Sequence, residues 1–228
     1  MTDYTLAIEG STYAGSVALM QGESVMVERT LVDSGVPSRG GREERVLPSV
    51  AECLVEARVD VGLISRVVCG AGPGSFTSLR IAASVGKGIA VGVGIPMYSV
   101  SSLMLTVAAA ADSLDTGLYL SVIPAMREEW FAMPIELSRD RKVVARGDAF
   151  LVADSALAER ARGIEARPIG PRQELNFHPH ARGVARLMNQ IIDAGPVAIE
   201  TWEPDYGRLA EAQVRWEAAH GRPLGANA

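Results

Sequence analysis

Three groups of residues in this chain are of types that could do chemistry, and their spacing decides which. The first is Gly70-Ala71-Gly72-Pro73-Gly74-Ser75-Phe76-Thr77-Ser78-Leu79-Arg80. Its glycines reach backbone angles closed to other residues, and Pro73 stiffens the turn. Ser65 to Cys69 upstream is short and β-branched, a buried strand, while Ser75 and Thr77 are good helix N-caps. A strand, a tight glycine loop and a helix start present backbone N–H groups to which an anion can bind. The two best-known phosphate patterns fail here. The only Gly-Lys, Gly86-Lys87, is followed by Gly88 and has Ile81 where the first glycine of a P-loop belongs. A dinucleotide pattern read from Gly70 or Gly72 meets Ser75 or Thr77 in place of its third glycine. The second group is Glu9 before Gly10-Ser11-Thr12, a carboxylate at a strand end that can hold Mg²⁺ through water or simply sit half-buried in a hairpin. The third is the histidines and cysteines. His178, His180 and His220 form no helix-borne metal pair, and Cys53 and Cys69 have no metal-type spacing. No Cys/His dyad and no Gly-x-Ser-x-Gly elbow is visible.

The elements that must position these groups follow from periodicity. Tyr4 to Glu9, Ser16 to Met20 and Glu23 to Thr30 read as strands, the last two joined by a hairpin at Gln21-Gly22. Asp33 to Gly41 is loop-like, and Arg42 to Arg58 is helical, with Pro48 in its first turns. The glycine loop and the helix Phe76 to Val93 come next, then a strand Met97 to Val100 and a helix Ser101 to Ala111 capped by Ser101 or Ser102. In Phe76 to Val93, Ala82, Gly86 and Ala90 recur every fourth residue. Such a stripe suits either close packing in the core or the approach of a partner helix. The apolar run is interrupted by Lys87, by four glycines and by Pro96, which argues against a membrane span.

The pattern then repeats. Leu118 to Ile123, Trp130 to Leu137 and Lys142 to Phe150 read as strands, Asp154 to Arg162 as a helix with Asp154 as N-cap, Ala166 to Ile169 as a strand, and Pro179 to Ala194 as a helix. A β-β-β-α-β-α order appearing twice predicts a duplicated α/β fold, with a first lobe over 1–112 and a second lobe with tail over 113–228. The ribonuclease-H-like lobes of the actin, Hsp70 and sugar-kinase (ASKHA) class have this order. A hydrophobic content of 48% with 21% charge describes a soluble globular chain, and a net charge of −5 argues against gripping nucleic acid as the main task. Arg139 to Arg186 is locally Arg-rich, but Asp and Glu are interspersed, as on a solvated face. Met1-Thr2-Asp3-Tyr4 shows no secretion signal and the cysteines suit a reducing compartment, so a cytoplasmic location is expected.

Gly72-Pro73-Gly74-Ser75-Phe76-Thr77, with Leu79-Arg80-Ile81 and Lys87-Gly88, resembles the signature of the TsaB family of bacterial tRNA threonylcarbamoyladenosine biosynthesis. Ser78 departs from the usual Gly. The resemblance extends to Leu6-Ala7-Ile8 with Ser11-Thr12 and Ser16 to Leu19, to Glu44 with Leu47-Pro48, to Pro96 and Val100 to Leu103, to Ala125 and Glu129, and to a tail at Glu203-Pro204, Tyr206, Arg208 and Ala210-Glu211. It departs at Glu9-Gly10, at Arg42-Glu43 and at Pro124. The family usually has Asp at position 9, and phosphate-transferring members of the actin-like class use an Asp there to manage a metal ion.

The resemblance implies the ASKHA-type fold and a non-catalytic scaffold, with no metal and no cofactor of its own. It implies pairing through first-lobe helices with TsaD, the subunit that transfers threonylcarbamoyl to the adenosine beside the anticodon, and association with the ATPase TsaE. It also leaves room for a homodimer when TsaD is absent, and for tRNA contact only within the complex. The expected interface comprises Leu47, Val50, Leu54, Leu79, Ala82, Ala83, Gly86 and Ala90, and the loop's structural residues are Gly70, Gly72, Pro73, Gly74, Ser75 and Thr77. The alternative is an actin-like ATPase or kinase using Glu9, the Ser11-Thr12 turn and the 70–78 loop. An old glycoprotease reading has no visible catalytic set behind it.

Overall fold

The structure, a computed structural model, describes residues 3–31, 45–207 and 220. The loop expected over Asp33 to Gly41, the Arg42–Glu44 start of the first helix, and the tail residues Arg208, Ala210 and Glu211 lie outside the described residues. The first sheet begins with β1 (Tyr4–Glu9), β2 (Ser16–Gln21) and β3 (Ser24–Thr30), paired antiparallel with Leu6 opposite Leu19 and Leu19 opposite Val27. After α1 (Val46–Ala57), β4 (Ile64–Gly70) joins β1 in parallel. After α2 (Phe76–Val93), β5 (Met97–Val100) joins β4 in parallel, giving the order β3-β2-β1-β4-β5.

Side chains alternate along these strands and so sort into two layers. Leu6, Ile8, Val17, Leu19, Val67 and Cys69 pack with Val46, Val50 and Cys53 of α1 and with Ala82 and Ala90 of α2. Ala7, Ala18, Met20 and Val68 face the other way, toward α3 (Ser102–Ala110). α2 is long and apolar enough to cross a membrane by composition, yet it lies along this sheet with one side in its core.

The second sheet repeats the frame. β6 (Gly117–Pro124), β7 (Glu129–Leu137), β8 (Val143–Ala145) and β9 (Phe150–Ala153) are followed by α4 (Asp154–Gly163), β10 (Arg167–Ile169) and α5 (Val184–Ala194). The order is β10-β6-β7-β8, with β9 also on β7. Three sequence expectations are corrected here. Lys142 to Phe150 is not one strand but the whole of β8, a break over 146–149, and the first residue of β9; Gly147 packs tightly on Pro134, where a Cβ would lie 3.1 Å from the ring. Asp154 is the first helical residue and Ala153 the cap, because the Asp154 carboxylate is taken by the Trp130 indole N–H at 2.6 Å rather than by helix N–H groups. The last helix starts at Val184, not Pro179, preceded by a 3-10 turn over Ala181–Gly183.

α3 and α5 lie between the two sheets in the largest apolar cluster, which holds Leu103, Leu105, Tyr119, Phe131, Ile135, Leu187 and Ile191. Each such side chain stabilises the fold by roughly 1.5–3 kcal/mol when fully buried. Ser121 Oγ donates to the Leu103 carbonyl at 2.8 Å, tying the second sheet to α3.

A polar latch joins the sheets at their edge. Ala181 N–H donates to Ser16 Oγ at 2.8 Å, and Arg182 pairs with Glu28 at 3.2 Å. His180 Nδ1 accepts from the Arg182 N–H at 3.2 Å, so this imidazole must stay neutral. Burial pushes His180 down from 6.5 to about 4, with Glu28 opposing and Arg182 reinforcing the shift. A depressed base contributes stability that is present above its unfolded value and is lost as pH falls through its folded value. Stability should therefore drop between pH 6.5 and about 4, by on the order of 2 kcal/mol. Urea midpoints measured at pH 7 and pH 4.5 for the parent and for His180→Gln check this, and an equal loss in both would show that His180 is not responsible.

The chain beyond α5 returns to the first sheet. Val197 N–H donates to the Met97 carbonyl and Asp205 N–H to the Ala71 carbonyl, both at 2.8 Å. Lys87 sits 5.8 Å from the Trp202 ring centroid, and the Phe76 and Tyr206 rings are 4.5 Å apart.

Candidate functional site: a closed glycine loop and an open helical face

The glycine loop is built as a clasp. Ala71 N–H donates to the Val100 carbonyl at 2.7 Å, Gly72 N–H to Ser102 Oγ at 3.1 Å and Ser75 N–H to the Ser11 carbonyl at 2.7 Å. The Gly72-Pro73 peptide is cis, Gly72 has φ +86°, and a Cβ on Gly72 would run into the Asp205 carbonyl. Ser75 is the helix cap position, as expected, but its hydroxyl meets Ser78 Oγ at 3.1 Å instead of a helix N–H. Ser78, the departure from the family pattern, thus has a local partner. Thr77 lies inside the first turn of α2 and is exposed.

Glu9 is the hub beneath this loop. Its side chain is fully buried; Oε1 accepts from Ser11 N–H at 2.5 Å and Oε2 from Ser102 Oγ at 2.8 Å. Burial raises its pKa, and the Ser11 and Ser102 hydrogen bonds oppose that. Gly70 is required beside it, because a Cβ there would overlap Glu9 Oε2. Glu9 therefore joins the ends of β1 and β4 to the start of α3, and both its oxygens face protein donors rather than solvent.

Gly74 is held by space. A Cβ on it would overlap the Ser11 carbonyl and lie 2.7 Å from Ser11 Cβ. Gly74→Val should cost about 1–3 kcal/mol through overpacking. A melting curve identical to the parent's would contradict this.

The expected interface divides in two. Val50, Leu79, Ala82, Ala83, Gly86 and Ala90 are buried. The stripe Ala82-Gly86-Ala90 is core: Gly86 lies against Cys69 Sγ, and a Cβ there would be 3.5 Å from Val67 Cγ1. These residues cannot be first contacts for a partner, and the expectation that they face outward is corrected. The reason is that α2 needs small residues to lie close on β4, whose Val67 and Cys69 already fill the space between. Leu54 is half-buried and Leu47 is 54% exposed.

The outward faces carry their own stripes, of which the expected interface held only Leu47. On α1, Leu47, Ala51 and Val55 recur every fourth residue and are exposed, Val55 at 77%. On α2, Ser84, Gly88 and Gly92 do the same beside Val91, which is 67% exposed. A Cβ on Gly88 or Gly92 would meet nothing within 4 Å. The missed signal was that α1 and α2 are apolar or small on two opposite faces. A helix with a single buried face needs only one such stripe.

The remaining expected groups are structural. Cys53 and Cys69 are buried free thiols, pushed up by burial to about 11 and about 12. Among the described residues, no three His, Cys, Asp or Glu side chains gather as metal ligands would. Much of the Arg-rich stretch is neutralised: Arg146 pairs with Glu136, Arg167 with Asp115, Arg182 with Glu28 and Arg186 with Asp112.

Two sheets with the same core strand order, each with a central strand flanked by an antiparallel hairpin and a parallel partner, define an α/β protein of the glycoprotease-like, ASKHA-type fold. The family model for TsaD, tRNA N6-adenosine threonylcarbamoyltransferase, matches residues 36–174. The chain is similar to the tRNA threonylcarbamoyladenosine biosynthesis protein TsaB of Bacillus subtilis, with 28% identity over 92% of this chain and 96% of that protein. It is 32% identical to TsaB of Escherichia coli over 63% of this chain and 58% of that one. The match to TsaB of Haemophilus influenzae, at 29% identity, spans about half the length of that relative, 53%. Among solved structures, YeaZ from Pseudomonas aeruginosa superposes with a TM-score of 0.69 at 26% identity, covering 90% of this chain and 99% of that one. A second Pseudomonas aeruginosa structure, described as similar to peptidase YeaZ, gives 0.71 at 25% identity over 90% and 100%. The chain belongs to the TsaB family.

Proposed function

We propose that this chain is a non-catalytic scaffold subunit in tRNA threonylcarbamoyladenosine biosynthesis, binding and supporting TsaD, with TsaE joining the assembly. The observation that carries this reading is the open face of α1 and α2. Leu47, Ala51 and Val55, with Val91, Gly88 and Gly92, offer apolar and small side chains to solvent on two helices that share one face of the sheet. Exposed apolar surface of this kind marks protein–protein contact, and small residues let a partner helix approach closely. The relatives' names supply the pathway.

The glycine loop supports a non-catalytic role. Several of its N–H groups and both Glu9 oxygens are satisfied within the protein, which leaves the loop a clasp between β1, β4, α2 and α3. On this reading the chain works in the cytoplasm without a cofactor of its own. It meets tRNA only through the complex, as its net charge of −5 suits. In the absence of TsaD the same helical face is available to a second copy.

Isothermal titration of the purified chain into TsaD from the same organism tests the reading. Saturable binding is expected. Absence of binding, together with ATP hydrolysis by the isolated chain that Glu9→Ala abolished in a folded protein, would make the chain an enzyme instead.

A further inference from the structure

A groove of about 300 Å³ lies on the second sheet, and no residue of α1 or α2 lines it. It is lined by Trp130, Asp154, Leu157, Ala158, Pro168 and Arg172, with Gln173 at its rim. It sits between α4 and the C-terminal end of β10, with Trp130 of β7 beside them.

Trp130 organises two opposite charges there. Its indole N–H donates to Asp154 Oδ1 at 2.6 Å, and the Arg172 guanidinium lies 4.7 Å from its ring centroid. The carboxylate is thus fixed at the edge of the ring and the cation over its face. Among the described residues Arg172 has no carboxylate partner, the second oxygen of Asp154 has no donor, and no ion pair joins the two.

Arg172 is also set in advance by its loop. It has φ +63°, its N–H donates to Asn176 Oδ1 at 3.2 Å, and Gly170 and Gln173 close the turn by backbone hydrogen bonds. A fixed cation and a fixed anion held apart across a small cavity are complementary to a ligand bearing both charges. The cavity is at the small end of ligand sites, and its floor of Leu157, Ala158 and Pro168 is apolar.

We propose that this groove binds a free α-amino acid of small to medium size. Its carboxylate would pair with the Arg172 guanidinium and the Gln173 amide, its ammonium with the open oxygen of Asp154, and its side chain would lie on Leu157, Ala158 and Pro168. Planar guanidinium–carboxylate pairing supplies orientation as well as attraction. This inference stands apart from the TsaD reading, because it uses a different surface.

Calorimetry of the full chain against a panel of free L-amino acids, up to ~10 mM to reach millimolar affinities, is the test. At least one small apolar or neutral amino acid is expected to bind. Its N-acetyl derivative, which loses the ammonium, and its decarboxylated amine should each bind about tenfold more weakly or worse. R172Q and D154N should do the same. D154N keeps the oxygen that Trp130 uses, and both positions are exposed, so unchanged melting curves would confirm that the fold is intact. Heat from no amino acid would overturn the proposal. So would an N-acetyl derivative that binds as tightly as its parent, which would mean an anion site only, or full binding by both variants.

Discussion

Gly86→Leu is expected to destabilise the chain severely, whereas Gly88→Leu, two residues along the same helix, leaves it folded. At Gly86 the first side-chain carbon already overlaps Cys69 Sγ and comes within 3.5 Å of Val67 and 3.8 Å of the Met97 sulfur. The three remaining carbons of leucine would have to enter between α2 and β4, in a core where close packing leaves no room. Overpacking of this kind costs about 1–3 kcal/mol when neighbours can shift. Here all three neighbours are residues of β4 and β5, held in the sheet, so a loss of about 3 kcal/mol or more is expected. At Gly88 nothing lies within 4 Å. Replacing a mid-helix glycine there should even stabilise by roughly 0.5–1 kcal/mol, through a smaller loss of backbone entropy on folding. Thermal melts of the two variants check the claim directly. Equal melting temperatures would mean that α2 does not lie on β4 with its Ala82-Gly86-Ala90 side.

Charge placed on the open face should leave stability alone and weaken partner binding by roughly 30-fold or more. Val55 and Val91 are 77% and 67% exposed, so Val55→Arg with Val91→Glu should change stability by no more than about 0.5 kcal/mol at each site. In the proposed complex both positions would be buried, and an unpaired charge on either side would lose its water without compensation. A central interface residue is typically worth about 2 kcal/mol or more, which is roughly 30-fold in Kd. The double variant should therefore bind TsaD at least that much more weakly. The single variants separate the helices, because a loss of affinity from Val55→Arg with none from Val91→Glu would restrict the contact to α1.

Much of this fold was legible because its strands alternate and its turns carry glycine. β1, β2 and α2 fall close to their expected bounds, and the elements from β1 to α3 follow the predicted order, whereas the second sheet gains a strand because Lys142 to Phe150 divides into β8 and β9. Boundaries failed where tertiary contact overrode local chemistry. Asp154 has a good capping side chain, but the Trp130 indole claims it. His178-Pro179-His180 precedes a helix, yet the imidazole of His180 is drawn to the Arg182 N–H at the edge of β3, and only a 3-10 turn forms there.

The candidate interface was half legible. The spacing of Ala82, Gly86 and Ala90 marks a close contact without saying with what. Only the position of β4 settles that the contact is internal. The outer residues Gly88 and Gly92 share the same period, two residues out of phase, and are distinguished from the inner set only by what each touches. The Arg172–Trp130–Asp154 groove was not legible at all, since its lining residues come from β7, α4, β10 and the loop beyond it.

Threonylcarbamoyl transfer to tRNA by TsaD and TsaE, assayed without this chain, with it, and with the Val55→Arg/Val91→Glu variant, tests the central claim most directly. The account predicts modified tRNA only when the parent chain is present, and little or none with the folded double variant at concentrations where the parent saturates. Transfer at the parent rate with the double variant, or without the chain altogether, would contradict it.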